Sequence, residues 1–540
     1  MSIIITWILA LAVSVASLLA GRSLMHYFQL ESYQFAGYFR TIKRNLTRAI
    51  LPGLIMTVYL VLLLLIHRSI DRMLPEASAW RLLVAFAAGA LALAGGWWCK
   101  ILLQVRKAKK PFVVTMRVKR TYIVSTIVFT VLCALIAILQ PGSSPRLYFM
   151  GLFPLLLPLL IALGGLCAWP VEKLVSEMYF RDAQKKLAAR PDLIKIGITG
   201  SYGKTSVKFI LGTILQEKFQ VLVTPSSFNT PMGVTRIIRE KLQPAHQIFV
   251  AEMGARHVGD IKELCRLVHP HHGVLTSVGP QHLDTFHTID RIKSTKYELM
   301  DAIRDGGCCF FPDDGAICRE LYDKTTKEKK LCAYQATDDA CVWASDVSVS
   351  PAGSAFTLHT KKDSIRCETK LLGEHNIQNI ILAAMVGLHL GMTLRQIARG
   401  ISKIQPVEHR LQLIPSPGIT IIDDAFNSNP RGAEAALKVI RDFPGRRMII
   451  TPGMVELGHG EAEFNQAFGT KMAECVDVAI LVGKKHTAPI AKGLQEAGFP
   501  AENIHVVATL EEAAAIMRQI GRPGDVALFE NDLPDNYSEA

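Results

Sequence analysis

The sequence predicts an α/β protein: five transmembrane helices, then a phosphate-loop domain, then a second Rossmann-like domain. Three observations carry this expectation. Five apolar runs, each near the roughly 20 residues that cross a bilayer, crowd into residues 1–170. From residue 191 the chain alternates short apolar runs with helical periodicities, the pattern of a parallel sheet covered by helices. The alternation starts afresh after Pro406, so residues 191–405 and 406–540 are expected to form a central and a C-terminal domain.

The apolar runs are Ile3–Ala20, Ala49–Ile66, Leu82–Trp98, Tyr122–Leu139 and Leu147–Trp169. The first lacks a basic leading segment and a clear small-residue cleavage site, so it reads as a retained helix. Residues 1–170 hold 17 lysines and arginines against 3 acidic residues, so the net charge of +13 lies in this third. That charge flanks apolar segments and has no interleaved aromatics, which argues against a nucleic-acid partner. The first connection carries Arg22, Arg40, Lys43, Arg44 and Arg48, and the third Lys100, Arg106, Lys107, Lys109, Lys110, Arg117, Lys119 and Arg120. The second carries Arg68 and Arg72, and the fourth Arg146. Positive loops favour the cytoplasm. The N-terminus is therefore expected outside a cell membrane, and everything after residue 170 in the cytoplasm. The basic loops either set this topology alone or also hold anionic membrane lipids. Asp71 and Glu76 are expected in a loop, leaving the spans free of acid. Residues 171–190 continue the last span as a charged linker helix that ends at Pro191. The 11 cysteines form no Cys-x-x-Cys pair, which fits reduced thiols.

Gly197-Ile198-Thr199-Gly200-Ser201-Tyr202-Gly203-Lys204-Thr205-Ser206 follows an apolar run and precedes the helical pattern Val207, Ile210, Leu211, Ile214, Leu215. Strand, glycine turn and helix make a phosphate cradle. Backbone N–H groups turn onto the anion, Lys204 reaches the outer phosphates, and Thr205 offers a hydroxyl to Mg2+. Glu252 falls just past the strand Gln247–Ala251, the ligand position of an open α/β sheet, although a capping glutamate has the same spacing. His282 follows the strand Gly273–Thr276 and reads either as a ligand or as a structural loop histidine. Lys296 sits on the helix Thr288–Ala302, where a lysine is ordinarily solvated. Cys308–Phe311 is a further strand, and Trp343–Ser350 with Ser354–Thr360 reads as a small antiparallel insert. In the last part Ile419–Ile422, Arg447–Thr451, Val478–Val482, His505–Val507 and Val526–Phe529 are expected as strands.

These runs occur in order with Ser227-Phe228-Asn229-Thr230-Pro231-Met232-Gly233, Gly279-Pro280-Gln281-His282-Leu283 and Lys296-Tyr297-Glu298. Gly373-Glu374-His375-Asn376-Ile377-Gln378-Asn379, His409-Arg410, Asp423-Asp424-Ala425-Phe426-Asn427-Ser428-Asn429-Pro430 and Met454-Val455-Glu456-Leu457-Gly458 follow. Residues 190–530 thereby resemble the Mur ligase family, most of all its MurF-type branch. That branch adds a dipeptide to a UDP-linked muramoyl-tripeptide. The resemblance implies ATP and Mg2+ as cofactors and an acyl phosphate made from a substrate carboxylate. Gly200, Ser201, Gly203, Lys204, Thr205 and Ser206 would cradle the phosphates. Thr205 and Glu252 would bind one Mg2+, and His282 a second, with Lys296 as the lysine some members carbamylate. Asn376 and Asn379 would face adenine, Arg410 the γ-phosphate and Asp424 the ribose.

The sequence departs from the family in three places. Five spans stand where the family's first domain grips the UDP-sugar, which points away from a soluble nucleotide-linked acceptor and toward one held at the membrane, such as a lipid-linked muropeptide, or one gripped by the basic loops. Pro452-Gly453 replaces the usual Gly-Asp, and Asn531-Asp532-Leu533-Pro534-Asp535 the usual Lys-Gly-Ser, where the incoming amino acid or dipeptide would bind. The expected function is a membrane-anchored, ATP-dependent amide ligase of peptidoglycan precursors. The alternatives are an enzyme like the poly-γ-glutamate synthases and a non-catalytic nucleotide-binding scaffold for cell-wall partners.

Overall fold

The computed structural model describes residues 2–75, 79–103, 111–139, 146–225, 228–350, 352–414, 416, 418–425, 428–455 and 457–532. Of the residues singled out above, Glu76, Arg106, Lys107, Lys109, Lys110, Ser227, Phe426, Asn427, Glu456 and Leu533 to Asp535 lie outside the described residues, as does the side chain of Arg146. The chain divides into two compact units, the first running to Glu177 and the second starting at Met178.

Five helices of the first unit are long and apolar enough to cross a membrane, and they contain the expected runs. Ser2–Ala20, Leu46–Met73, Ala79–Leu102 and Met116–Leu139 are followed by the short helix Arg146–Leu152, a 3-10 turn at Phe153–Leu156 and the helix Leu157–Ala188, so the last expected run is broken near its middle and its second part is continuous with the charged segment. Small residues bring the first and third close together. A Cβ on Gly96 would stand 2.7 Å from the Cα of Ala16, the close approach that glycine and alanine allow between apolar helices. Bulky side chains such as Leu62, Phe86, Trp98, Ile123 and Leu159 point outward, as lipid-facing residues do. Two short helices, Arg22–Leu30 and Phe35–Arg44, fill the first connection, which the sequence left as a loop. Asp71 is not in a loop. The second long helix continues past its apolar run through Arg68, Asp71 and Arg72, and Asp71 meets Arg81 at 3.6 Å. Helix-competent charged residues simply extend the helix beyond its apolar run.

The second unit holds two sheets. The first comprises β1 (Ile194–Thr199), β2 (Val221–Val223), β3 (Ile248–Glu252), β4 (His272–Leu275), β5 (Cys309–Pro312), β6 (Lys329–Cys332), β7 (Val342–Ser350), β8 (Gly353–Thr360) and β9 (Ser364–Thr369), in the order β2-β3-β1-β4-β5-β6-β7-β8-β9. The pairs from β2 to β7 are parallel; β7, β8 and β9 run antiparallel. The expected antiparallel insert therefore extends the main sheet instead of standing apart. The chain leaves β1 toward β2 and β3, then crosses to β4, so its direction of travel reverses beside β1. Open α/β sheets bind ligands at such a reversal.

The second sheet comprises β10 (Gln412–Ile414), β11 (Thr420–Asp424), β12 (Arg447–Thr451), β13 (Val478–Val482), β14 (Ile504–Val507) and β15 (Val526–Glu530), in the order β10-β11-β15-β12-β13-β14. All pairs but β10–β11 are parallel, which is the Rossmann-like arrangement expected.

Candidate active site

The site begins where β1 ends. Its side chains are buried up to Thr199, and the backbone then turns through Gly200 at φ +153° and Gly203 at φ +78°. A Cβ on Gly200 would lie 2.1 Å from Thr276 Oγ1, so only glycine fits. Helix Lys204–Leu215 starts directly after Gly203 and aims its N-terminus at the turn, a ready anion site. The loop after β4 clasps this turn. Ser201 donates its backbone N–H to Ser277 O at 2.7 Å, and its hydroxyl bonds Gly279 at 3.0 Å. The Tyr202 hydroxyl donates to Pro280 O at 2.7 Å. The Gly279-Pro280 part of the quoted run thus shapes the phosphate loop. Lys204 Nζ donates to Gly200 O at 2.7 Å and Ser201 O at 3.0 Å. Burial lowers Lys204 to about 8, with Glu252 opposing the shift and Arg410 adding to it.

Glu252 ends β3 facing the same turn. Its Oε1 lies 3.2 Å from Thr205 Oγ1 and accepts from Asn229 Nδ2 at 2.9 Å, and its Oε2 lies 3.1 Å from Lys208 Nζ. Two hard oxygens 3.2 Å apart approximate one edge, ~2.9 Å, of an octahedron with Mg–O bonds of about 2.0–2.1 Å. Thr205 and Glu252 therefore fit Mg2+, and the glycine turn fits a nucleotide phosphate. Asn229 stands in one of the quoted runs but received no role there, and Lys208 escaped the sequence reading. Lys208 looks like a solvated helical lysine, yet it shares a helix face with Lys204, Leu211 and Leu215 and is fully buried. That placement was the available signal, because a lysine on a buried stripe requires a buried anion.

His282 heads the short helix Leu283–Phe286 at φ +53°, its carbonyl accepting from Phe286 N at 3.0 Å. Lys296 is not the solvated lysine its helix pattern implies. It is 2% exposed, with Nζ 5.8 Å from the Phe286 ring centre. Burial drives it well below the ordinary lysine range and Lys204 pushes the same way, while Asp260 and Glu298 pull back.

Helix Glu374–His389 brings Asn376 and Asn379 to the site by different routes. Asn376 donates to Leu372 O at 2.9 Å and lines a cleft with Ser206, Phe209, Thr213 and Arg410. Asn379 Oδ1 would stand 3.0 Å from a Cβ on Gly203, so it backs the phosphate loop. Burial lowers Arg410, with Asp424 and Glu252 opposing, which places all three within electrostatic reach. Asp424 pairs in register with Glu530, and burial pushes each carboxyl up to about 7. Thr451 donates to Glu530 Oε2 at 2.7 Å, and Ser428 bonds Oε1. Glu530 also escaped the sequence reading, as the last residue of an apolar strand. The last two departures noted in the sequence meet here, since Asn531 Nδ2 donates to Gly453 O at 2.5 Å.

Residues 198–387 match the Mur ligase middle domain and residues 409–530 the Mur ligase glutamate ligase domain. The chain is 30% identical over 358 residues to UDP-N-acetylmuramoyl-tripeptide–D-alanyl-D-alanine ligase of Mycobacterium bovis, covering 62% of this chain and 69% of that one. It is 27% identical over 339 residues to the enzyme of that name from Bacillus subtilis, covering 62% and 72%. Among solved structures it resembles MurF from Acinetobacter baumannii at 26% identity and TM-score 0.59, over 67% of this chain and 79% of that one. At fold level it also resembles MurF from Thermotoga maritima, crystallised with ADP, at 23% identity and TM-score 0.60, over 67% and 82%.

Proposed function

This chain belongs to the Mur ligase family of ATP-dependent amide ligases, and from that premise we propose that it extends a muropeptide at the cytoplasmic face of a membrane. In this reading residues 191–405 are the ATP-binding domain and residues 406–540 the domain that presents the amine. The acceptor is lipid-linked, and the amine is D-alanyl-D-alanine or a related amino acid or dipeptide. Five long apolar helices precede the region matched to the family, which supports an acceptor met at the bilayer. The basic first and third connections support an outside N-terminus and a cytoplasmic cleft, where ATP is available.

The observation that carries the reading is the convergence of separate sequence runs on one cleft. Lys204, Thr205, Glu252 and Arg410 come from distant parts of the chain, yet their charges and hydrogen bonds meet there. Ser201 and Tyr202 give their N–H groups to Ser277 and so shape the loop, the N–H groups from Gly203 to Ser206 at the helix start bind the phosphates, and Lys204 exchanges its carbonyl partners for phosphate oxygens. Arg410 faces the γ-phosphate, Asn376 the base and Asp424 the ribose. Mg2+ held by Thr205 and Glu252 supplies charge neutralisation at the phosphates. His282 and Lys296 would hold a second cation if the buried amine of Lys296 adds CO2 and sheds a proton, since the resulting carbamate would supply anionic oxygens that the amine lacks. The substrate carboxylate attacks the γ-phosphorus, the bond to the β-phosphate breaks, and ADP leaves. The amine nitrogen then attacks the acyl carbon, and phosphate departs as the amine loses its proton. Lys204 and Arg410 neutralise charge in both steps.

Full-length protein in membranes should release phosphate from ATP only when an acceptor and an amine are both present. Lipid-linked and UDP-linked muropeptides form the two arms, and the product should gain one amino acid or dipeptide by mass. A polymer of one amino acid would support the poly-γ-glutamate reading instead. Lys296→Ala or His282→Ala with undiminished function in cells would support the scaffold.

A further inference from the structure

Glu252 carries more partners than a metal ligand waiting for its ion requires. Lys208 and Glu252 are 0% and 1% exposed and lie 3.1 Å apart. The ammonium takes Oε2, while Thr205 and Asn229 share Oε1. Lys208 cannot swing aside easily, because it sits on the buried face of helix Lys204–Leu215, one turn beyond Lys204. Lys204 and Arg410 add two more cationic side chains within reach of the same carboxylate. A divalent ion entering alone would displace no charge and would settle beside a fixed ammonium. A nucleotide brings three or four negative charges, which reverse that balance.

We propose that Lys208 is a built-in counter-cation that keeps free divalent metal off Glu252, so that the site accepts Mg2+ only together with a nucleotide. Nothing in the family resemblance assigns Lys208 a part. The proposal rests on the reading of Thr205 and Glu252 as metal ligands, and it deepens that reading by fixing the order of binding. The arrangement also supports the fold, because Lys208 is the cation that directly pairs with this buried carboxylate when nucleotide is absent.

The test uses full-length protein in detergent, with Mn2+ as the probe, followed by electron paramagnetic resonance and by melting temperature. Wild type should bind Mn2+ well with ADP and poorly without it. Lys208→Met should tighten nucleotide-free Mn2+ binding by about tenfold or more, the scale of repulsion between a unit charge and a dication ~5 Å apart even at the dielectric constant of water. Lys208→Met should also melt lower than wild type and recover with Mn2+, whereas Mn2+ should leave wild type unmoved. Lys208→Arg should keep the block. The double variant Lys208→Met/Glu252→Gln, which removes both charges, should fold and show no Mn2+ response without ADP. Tight nucleotide-free binding by wild type overturns the proposal. So does a Lys208→Met protein with wild-type Mn2+ affinity, or one that saturating Mn2+ fails to stabilise. If Glu252→Gln leaves Mn2+ affinity in the ADP complex unchanged, the metal-ligand reading fails separately.

Discussion

His272 shows what one buried side chain sets at the residue scale. It opens β4, and its Nδ1 accepts the Cys308 N–H at 3.1 Å, which requires an unprotonated nitrogen. Burial, with His389, His271 and Lys330 nearby, lowers it to about 4. An unfolded histidine titrates near 6.5, so between these values the unfolded chain binds the extra proton. Stability from this residue is therefore complete above about pH 6.5 and falls as the pH drops toward 4, by about 3 kcal/mol at ~1.4 kcal/mol per unit. His272→Asn offers Oδ1 as the acceptor and cannot titrate. Its melting temperature should decline less steeply than wild type from pH 6.5 to 4, and an unchanged slope would assign the acid limb to another group. Which residues were legible follows the same physics. Lys204, Thr205 and Glu252 could be read because their backbone context, strand then turn, is written in the local sequence. Lys208, Asn229 and Glu530 could not, because each answers a partner far away in the chain. A role for Lys296 showed only through family resemblance, since a helix pattern does not reveal that the lysine will be buried beside the Phe286 ring.

Elements set the site's tolerance for change. The turn after β1 and the loop after β4 form one clasp, and Gly200 is where they touch. Gly200→Ala must push Thr276 away or refold the turn. With strain of roughly 1–3 kcal/mol, ADP affinity should fall about tenfold or more. Calorimetry on the full chain checks this, and wild-type affinity would mean that the turn is not the nucleotide cradle. The paired ends of β11 and β15 behave oppositely to His272. Asp424 and Glu530 have folded values raised to about 7, above an ordinary carboxylate, so the folded chain holds more protons between pH 4 and 7. Their burial costs stability as the pH rises through that window. Glu530→Gln should therefore raise the melting temperature at pH 8 more than at pH 5, and an equal effect at both would place the charge elsewhere. Strands β1, β3 and β4 were legible because both faces are covered and their sequences are mostly apolar, with Lys195, Glu252 and His272 among the exceptions. Lys329–Cys332, Ser364–Thr369 and Gln412–Ile414 were not, because neighbouring strands recruit them against short, polar sequences.

At the scale of the whole molecule, charge asymmetry and chemistry constrain each other. The apolar third was the most legible part of the chain, since a span needs only length and composition, whereas the helices Arg22–Leu30 and Phe35–Arg44 were hidden by charge that reads as loop. The basic residues crowd the first and third connections, and in the proposed topology five crossings carry the chain after the fifth helix to the side opposite the N-terminus. An ATP-dependent ligase needs that side to be the cytoplasm. In intact cells a membrane-impermeant maleimide should label Met73→Cys, in the second connection, above the wild-type background. Arg40→Cys, in the first, should react only after lysis. The reverse pattern would put the cleft where there is no ATP, and the amide-ligase reading would fail however well its residues converge. Replacing Arg40, Lys43, Arg44 and Arg48 together with glutamine should weaken the bias and produce a mixed population in the same assay, because the K/R difference between the two sides orients the bundle.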